Sequence, residues 1–120
     1  MKKLVGYKKV RVRNKKTNNS ETYILELEIP ADAGRTFPSG PDDKGRAQFA
    51  RVRKAWRVQG QSLRLVRGKR TFRHIGFYDA SSITYVVGKI VRPNGYDNSD
   101  AACGKGINFF LSKTRAKRYN

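Results

Sequence analysis

The chain is poor in the side chains from which most catalytic and metal centres are built. It holds one cysteine, Cys103, and one histidine, His74. A zinc site needs several thiolate or imidazole ligands converging on one point, and one of each does not supply it. A lone cysteine cannot form an internal disulfide, and no charged-then-apolar leader opens the chain. The expectation is therefore an unstapled protein of an intracellular compartment. Long apolar runs are missing too: "ITYVVGKIV" and "INFFL" have strand length, against the roughly 20 residues of a membrane helix, so the protein reads as soluble.

The scarcest commodity is negative charge. Nine Asp and Glu stand against 27 Lys and Arg, for a formal charge of +18. Such self-repulsion must be offset by a core or by a polyanionic partner. The bases are blocked rather than scattered. Residues 1–20 carry Lys2, Lys3, Lys8, Lys9, Arg11, Arg13, Lys15 and Lys16 with no acid. Between Asp43 and Asp79 there is again no acid, and Arg51, Arg53, Lys54, Arg57, Arg64, Arg67, Lys69 and Arg70 fall there. After Asp100 come Lys105, Lys113, Arg115, Lys117 and Arg118. A charge run is ordinarily a solvated face; three acid-free blocks in one small chain favour contact with a polyanion or an acidic partner.

What is present suffices for one fold. With 120 residues, 38% of them hydrophobic and 11% aromatic, the chain fits a single basic domain over 1–120. "GYKKVRVRN" and "ETYILELEI" alternate apolar and polar residues, and "NKKTNNS" between them is turn chemistry, so the three read as an antiparallel hairpin. In that hairpin Glu26 and Glu28 would lie across from Arg11 and Arg13. A basic segment 1–5 precedes it, and the Pro/Gly-rich stretch 30–46 reads as an exposed loop, begun by a turn at Pro30. "AQFARVRKAWRVQ" fits a helix face or an alternating strand, with strand favoured from Ala50 onward. "SLRLVRGKRTFRHIGF" reads as two β segments about "RGK", "SITYVVGKIVRP" as a strand ending at Pro93, and "INFFL" as another. Ser112 can cap a short helix over "KTRAKRY". The sum is an α+β domain, strand-rich, with an antiparallel sheet and a short C-terminal helix.

Chemistry is mostly declined at this level. Cys103 and His74 would need to meet across the fold to act as nucleophile and base, and a cysteine in a Gly-rich loop is more often a packed or exposed bystander. "GKG" at 104–106 lacks phosphate-loop spacing and is explained as well by a turn leading into a strand. Phe49, Trp56, Phe72, Phe77 and Tyr78 lie among bases and could stack on single-stranded nucleic acid, although such residues are more often core.

The order of motifs, "GYKKVR", "ILELEIPADAGRT", "RAQFARV", "TYVVGKIV" and "CGKGINFFLSKTRAKRY", resembles a small domain of unknown function that recurs in large nucleocytoplasmic DNA viruses, sometimes beside pentapeptide repeats. The resemblance spans roughly Gly6 to Tyr119. Its most specific part is the closing pattern, matched by Tyr85, Val87, Gly88, Lys89, Cys103, Gly106, Ile107, Phe109, Phe110 and Tyr119. Where that pattern has a histidine, this chain has Asn108, which favours a scaffold use of the fold over chemistry. The resemblance implies a viral origin, a virion localisation after synthesis in the host cytoplasm or nucleus, and no established activity.

The functional expectation is a non-enzymatic structural protein of a large DNA virus particle, a minor capsid or capsid-associated component without cofactor, binding acidic surfaces of neighbouring virion proteins. The alternative is sequence-nonspecific binding of nucleic-acid phosphates for genome packaging. In either case the expected contacts are Lys8, Lys9, Arg11, Arg13, Lys15 and Lys16 from the first block. The second contributes Arg51, Arg53, Lys54, Arg57, Arg64, Arg67, Lys69 and Arg70, and the last Lys113, Arg115, Lys117 and Arg118.

Overall fold

The computed structural model describes residues 2–37, 44–74, 83–93, 95–96 and 106–118. Strand β1 (Leu4–Arg13) and strand β2 (Ser20–Ile29) pair without interruption from Leu4↔Ile29 to Arg13↔Ser20. Side chains alternate across a strand, so this register puts Gly6, Lys8, Val10 and Val12 on one face with Leu27, Leu25, Tyr23 and Glu21. Val5, Tyr7, Lys9, Arg11 and Arg13 take the other. In the connecting turn, Asn14 Oδ1 accepts the N–H groups of Lys16 (2.9 Å) and Thr17 (3.4 Å), and Asn18 adopts φ 60°, a left-handed conformation that asparagine tolerates.

The chain continues through β3 (Arg35–Thr36), β4 (Lys44–Ala47), β5 (Ala50–Gln59), β6 (Ser62–Leu65), β7 (Thr71–Arg73), β8 (Thr84–Val86), β9 (Ile90–Val91), β10 (Ile107–Phe110) and helix α1 (Lys113–Arg118). The main sheet runs β3-β4-β10-β1-β2-β5-β6, with β9 beside the first residues of β5, and its pairings are antiparallel. β7 and β8 form a separate two-stranded sheet. One face of the main sheet carries the larger core: Val10, Tyr23, Leu25, Leu27, Ile29, Val52, Ala55, Ile107 and Phe109 pack with Phe72 and Tyr85 of the small sheet. The opposite face holds a smaller cluster in which Ala116 of α1 meets Ile24 and Phe110, flanked by Tyr7, Val58 and Leu63. Ser112 caps α1, its Oγ accepting the Arg115 N–H at 3.2 Å.

One aromatic ring joins the two halves of the main sheet. Phe109 pairs with Gly45 on β4, and its ring lies where a Cβ on Gly45 would sit 2.5 Å from Cζ; a Cβ on Gly6 of β1 would overlap the same ring. Glycines flank β10 on both sides because the ring occupies the space their side chains would need.

The domain is thus strand-rich and antiparallel with one short C-terminal helix, nearer to all-β than the expected α+β balance. Several local expectations need correction. Glu26 and Glu28 lie opposite Tyr7 and Val5 on β1, and it is β5 that brings bases to them, through Lys54 and Arg51. "SITYVVGKIVRP" is two strands, not one, because Gly88 at φ 91° turns the chain between β8 and β9. The two β segments about "RGK" are present as β6 and β7, paired with β5 and β8. The stretch 30–46 opens on a Pro30–Ala33 turn (Ala33 N–H to Pro30 O, 3.0 Å) but then carries β3 and most of β4, with 38–43 outside the described residues. Segment 1–5 shrinks to exposed Lys2 and Lys3, since β1 begins at Leu4.

Replacing Gly45 with Ala should cost about 1–3 kcal/mol through overpacking against Phe109. In urea titration this appears as a lower midpoint at unchanged slope, and Gly45→Ala combined with Phe109→Leu should fall short of the sum of the two single losses.

Candidate polyanion-docking surface

The turns joining β1 to β2 and β5 to β6 lie at the same end of the main sheet, with exposed Arg13, Lys15 and Lys16 beside them. On the helix side, β1 alternation points Lys9, Arg11 and Arg13 away from the larger core. α1 lies across this face. Lys9 Nζ donates to the Lys117 carbonyl at 3.2 Å, Lys117 Nζ donates to the Gln61 carbonyl at 2.7 Å, and Lys113 Nζ sits 4.3 Å above the Trp56 ring. Between α1 and the β5–β6 turn runs a groove of about 480 Å³, lined by Gly60, Gln61, Leu63, Lys113, Thr114, Lys117 and Arg118. Three of these residues are basic and none is acidic. The first and last charge blocks, distant in sequence, therefore merge into one surface, with exposed Lys15 and Lys16 in the adjoining turn.

On the other side the middle block supplies the charge. Arg57 and Arg64 are directly opposed across β5 and β6, a like-charge pair. One carboxylate offsets it: Glu21 lies 3.0 Å from Arg57 Nη2 and accepts the Tyr23 hydroxyl at 3.0 Å. The Arg70 guanidinium stands 5.6 Å and 5.5 Å from the ring centres of Tyr23 and Phe72. Arg64, Arg67 and Lys69 are exposed and have no carboxylate partner among the described residues.

The structure separates three bases of β5 from this group. Lys54 is paired in register with Glu26, Arg51 with Glu28, and Arg53 Nε lies 3.6 Å from Glu26 and 4.0 Å from Glu28. Arg51 also donates to the Gly88 carbonyl at 2.9 Å. This half of β5 is close to neutral. Burial, and then the nearby Glu26 charge, raise the Tyr7 phenol above its ordinary pKa, since its hydroxyl points at that carboxylate.

Lys8 leaves the expected contact set. It shares the inward row with Gly6, Val10 and Val12, and its Nζ donates to the Asn108 carbonyl at 3.2 Å. Burial, and then the charge of Lys44, lower its pKa from 10.5 to about 8. The alternation already implied this position, since Lys8 has the parity of Val10 and Val12.

Of the described residues that carry the closing motif, most serve packing or a turn. Tyr85, Ile107, Phe109 and Phe110 are buried. Gly88 makes the β8–β9 turn, its N–H donating to the Val52 carbonyl at 2.7 Å. Gly106 adopts φ 136° and lies against Arg46, where a Cβ would come within 2.7 Å of Cγ. Asn108 sits in β10 opposite Arg46. Cys103, Lys105, Phe77, Tyr78 and Tyr119 fall outside the described residues. His74 Nδ1 accepts the Arg11 N–H at 3.1 Å, tying the small sheet to β1. Among the described residues no group of three or more His, Cys, Asp or Glu could hold a metal ion, and no helix is long and apolar enough to cross a membrane.

A group whose folded pKa is depressed to about 8 from 10.5 is charged in both states below pH 8, where its burial costs most. Between pH 8 and about 10.5 the unfolded chain binds the extra proton, so this contribution to stability rises with pH. Lys8→Met should therefore be more stable than the parent at pH 7, and the difference, measured by denaturant titration at several pH values, should shrink toward pH 10.

A family model described as "Family of unknown function (DUF5758)" matches residues 2–116. No curated protein and no solved structure matches the chain. The match covers the sheet, both charged faces and most of α1, and the chain belongs to this family of unknown function.

Proposed function

We propose that the protein is a non-enzymatic docking component of a large DNA virus particle, a minor capsid or capsid-associated protein that binds acidic surfaces of its neighbours. The observation that carries the docking reading is the placement of charge. Glu21, Glu26 and Glu28 are all engaged with arginines within the sheet, whereas Arg11, Arg13, Lys113 and Arg118 stand exposed beside a groove with no acid in its described lining. A rigid sheet that offsets its charge internally on one half and displays the surplus on the other suits a fixed partner surface better than diffuse condensation. The viral setting rests on the resemblance of the closing motif. The non-catalytic reading is supported by the packing roles of Tyr85, Ile107, Phe109 and Phe110 and by Asn108 in place of the pattern's histidine.

Particles from the source, separated into shell and genome-containing core, should yield this chain with the shell, at a fixed ratio to the major shell protein and resistant to nuclease. Recovery with the DNA, released by nuclease or salt, would overturn the reading in favour of genome packaging. Reconstituted on stripped shells, the triple variant Arg11→Glu, Arg13→Glu, Arg118→Glu should bind at least tenfold more weakly, while Lys89→Ala should bind as the parent does.

A further inference from the structure

Among the described residues β6 ends the main sheet, its outer edge open and its strand partner β5 alone. The Val66 N–H donates to the Ala55 carbonyl at 2.8 Å, and hydrogen bonding in an antiparallel pair alternates by residue. The N–H groups of Arg64 and Ser62 thus turn toward β5, and those of Leu63 and Leu65 turn outward. Side chains alternate as well: Leu63 and Leu65 share the α1 side with Val58 and Trp56, and Arg64 shares the opposite side with Arg57. Leu65 is 52% exposed. An apolar residue and two outward backbone donors on a sheet edge form a template for another strand.

The sheet itself shows what such a strand would carry. On its inner edge, cationic β5 pairs with β2, whose sequence alternates acids with aliphatics, and Arg57 meets Glu21 at 3.0 Å in that pairing. On the outer edge Arg64 repeats the cation, with Arg67 and Lys69 following, but among the described residues no acidic strand lies beyond. We infer that β6 accepts an extended acidic segment of a partner protein by strand addition, its carboxylates facing Arg64 and its alternate aliphatic side chains covering Leu63 and Leu65. A second copy of this chain is disfavoured as occupant, because two chains of +18 would bring Arg64 against its own equivalent. The inference deepens the docking reading and rests on it for the acidic nature of the partner.

The probe is a synthetic peptide of eight residues alternating Glu and Val, compared with a peptide of the same composition that has its four Glu residues clustered, and with a duplex oligonucleotide. Trp56, the only tryptophan, faces Leu65 across the strand pair and reports binding by fluorescence. The alternating peptide should bind at least tenfold tighter than the clustered one and slow hydrogen exchange at the Leu63 and Leu65 amides. Leu65→Pro removes one outward donor without touching the bonds to β5 and should abolish that preference. If Leu65→Pro does not fold, Leu65→Lys keeps the backbone donor, places a charge on the edge and should give the same loss. Equal binding of the two peptides, no protection of the β6 amides, or protection by the oligonucleotide instead would overturn the inference. Shell recovery that survives any of these results would leave the docking reading standing and remove β6 as its route.

Discussion

An acidic strand between two basic ones is the constraint on which the rest of the structure depends. β2 holds Glu21, Glu26 and Glu28, and its neighbours β1 and β5 carry some of the densest positive charge in the chain. Any order that placed β1 beside β5 would set arginines against arginines across the ladder. Inserting β2 turns that repulsion into ion pairs on the β5 side, through Glu26 and Glu28 on one face and Glu21 on the other, and it buries Tyr23, Leu25, Leu27 and Ile29 at 0–1% exposure on the face of Glu21. Hydrophobic burial and charge pairing thus select the same register, which is the kind of agreement between levels that gives a sequence one structure.

The remaining charge is arranged by what this central strand leaves over. Its carboxylates reach the β5 bases and stop there. The outward bases of β1 find only Thr22 and Ser20 across the pair, so Arg11 and Arg13 keep their full field. α1 then adds its own bases to that field instead of cancelling it, because its burial rests on a single alanine and its cap on a single serine. Lys113 over Trp56 and Lys117 on the Gln61 carbonyl also hold the helix to the sheet, whereas Arg118 is exposed. Arg118 is a property of the surface, which is why it bears on function rather than on folding.

Much of this was legible in the residues. Period-two alternation placed β1, β2 and β5, and the Asn-rich spacer placed the turn, because each is a local signal with a local cause. The α1 cap followed in the same way from Ser112. What sequence reasoning missed depended on partners remote in the chain. The pairing of Glu26 with β5 instead of Arg11 follows from sheet order, which no single hairpin encodes. The break at Gly88 is demanded by two β strands belonging to different sheets. The cationic surface was visible as blocks, but only the fold shows that residues 9–13 and 113–118 form one field and that Arg51, Arg53 and Lys54 lie beside Glu26 and Glu28. Lys8 has charged neighbours in sequence, but its parity places it in the row of Val10 and Val12.

The position of β10 has a consequence for how the chain is made. It lies between β1 and β4, so a segment synthesised near residue 110 forms an interior strand, and β3 and β4 reach the sheet only through it. Until those residues leave the ribosome, β1 presents a bare edge to the cell and the β3–β4 arm has nothing to join. Contacts spanning about a hundred positions, such as Lys8 with Asn108, are slow to form, so the nascent protein passes through a half-built sheet whose exposed strand is shielded chiefly by mutual repulsion between chains. The same surplus of positive charge that equips the finished molecule to meet an acidic partner would therefore also keep its unfinished copies apart.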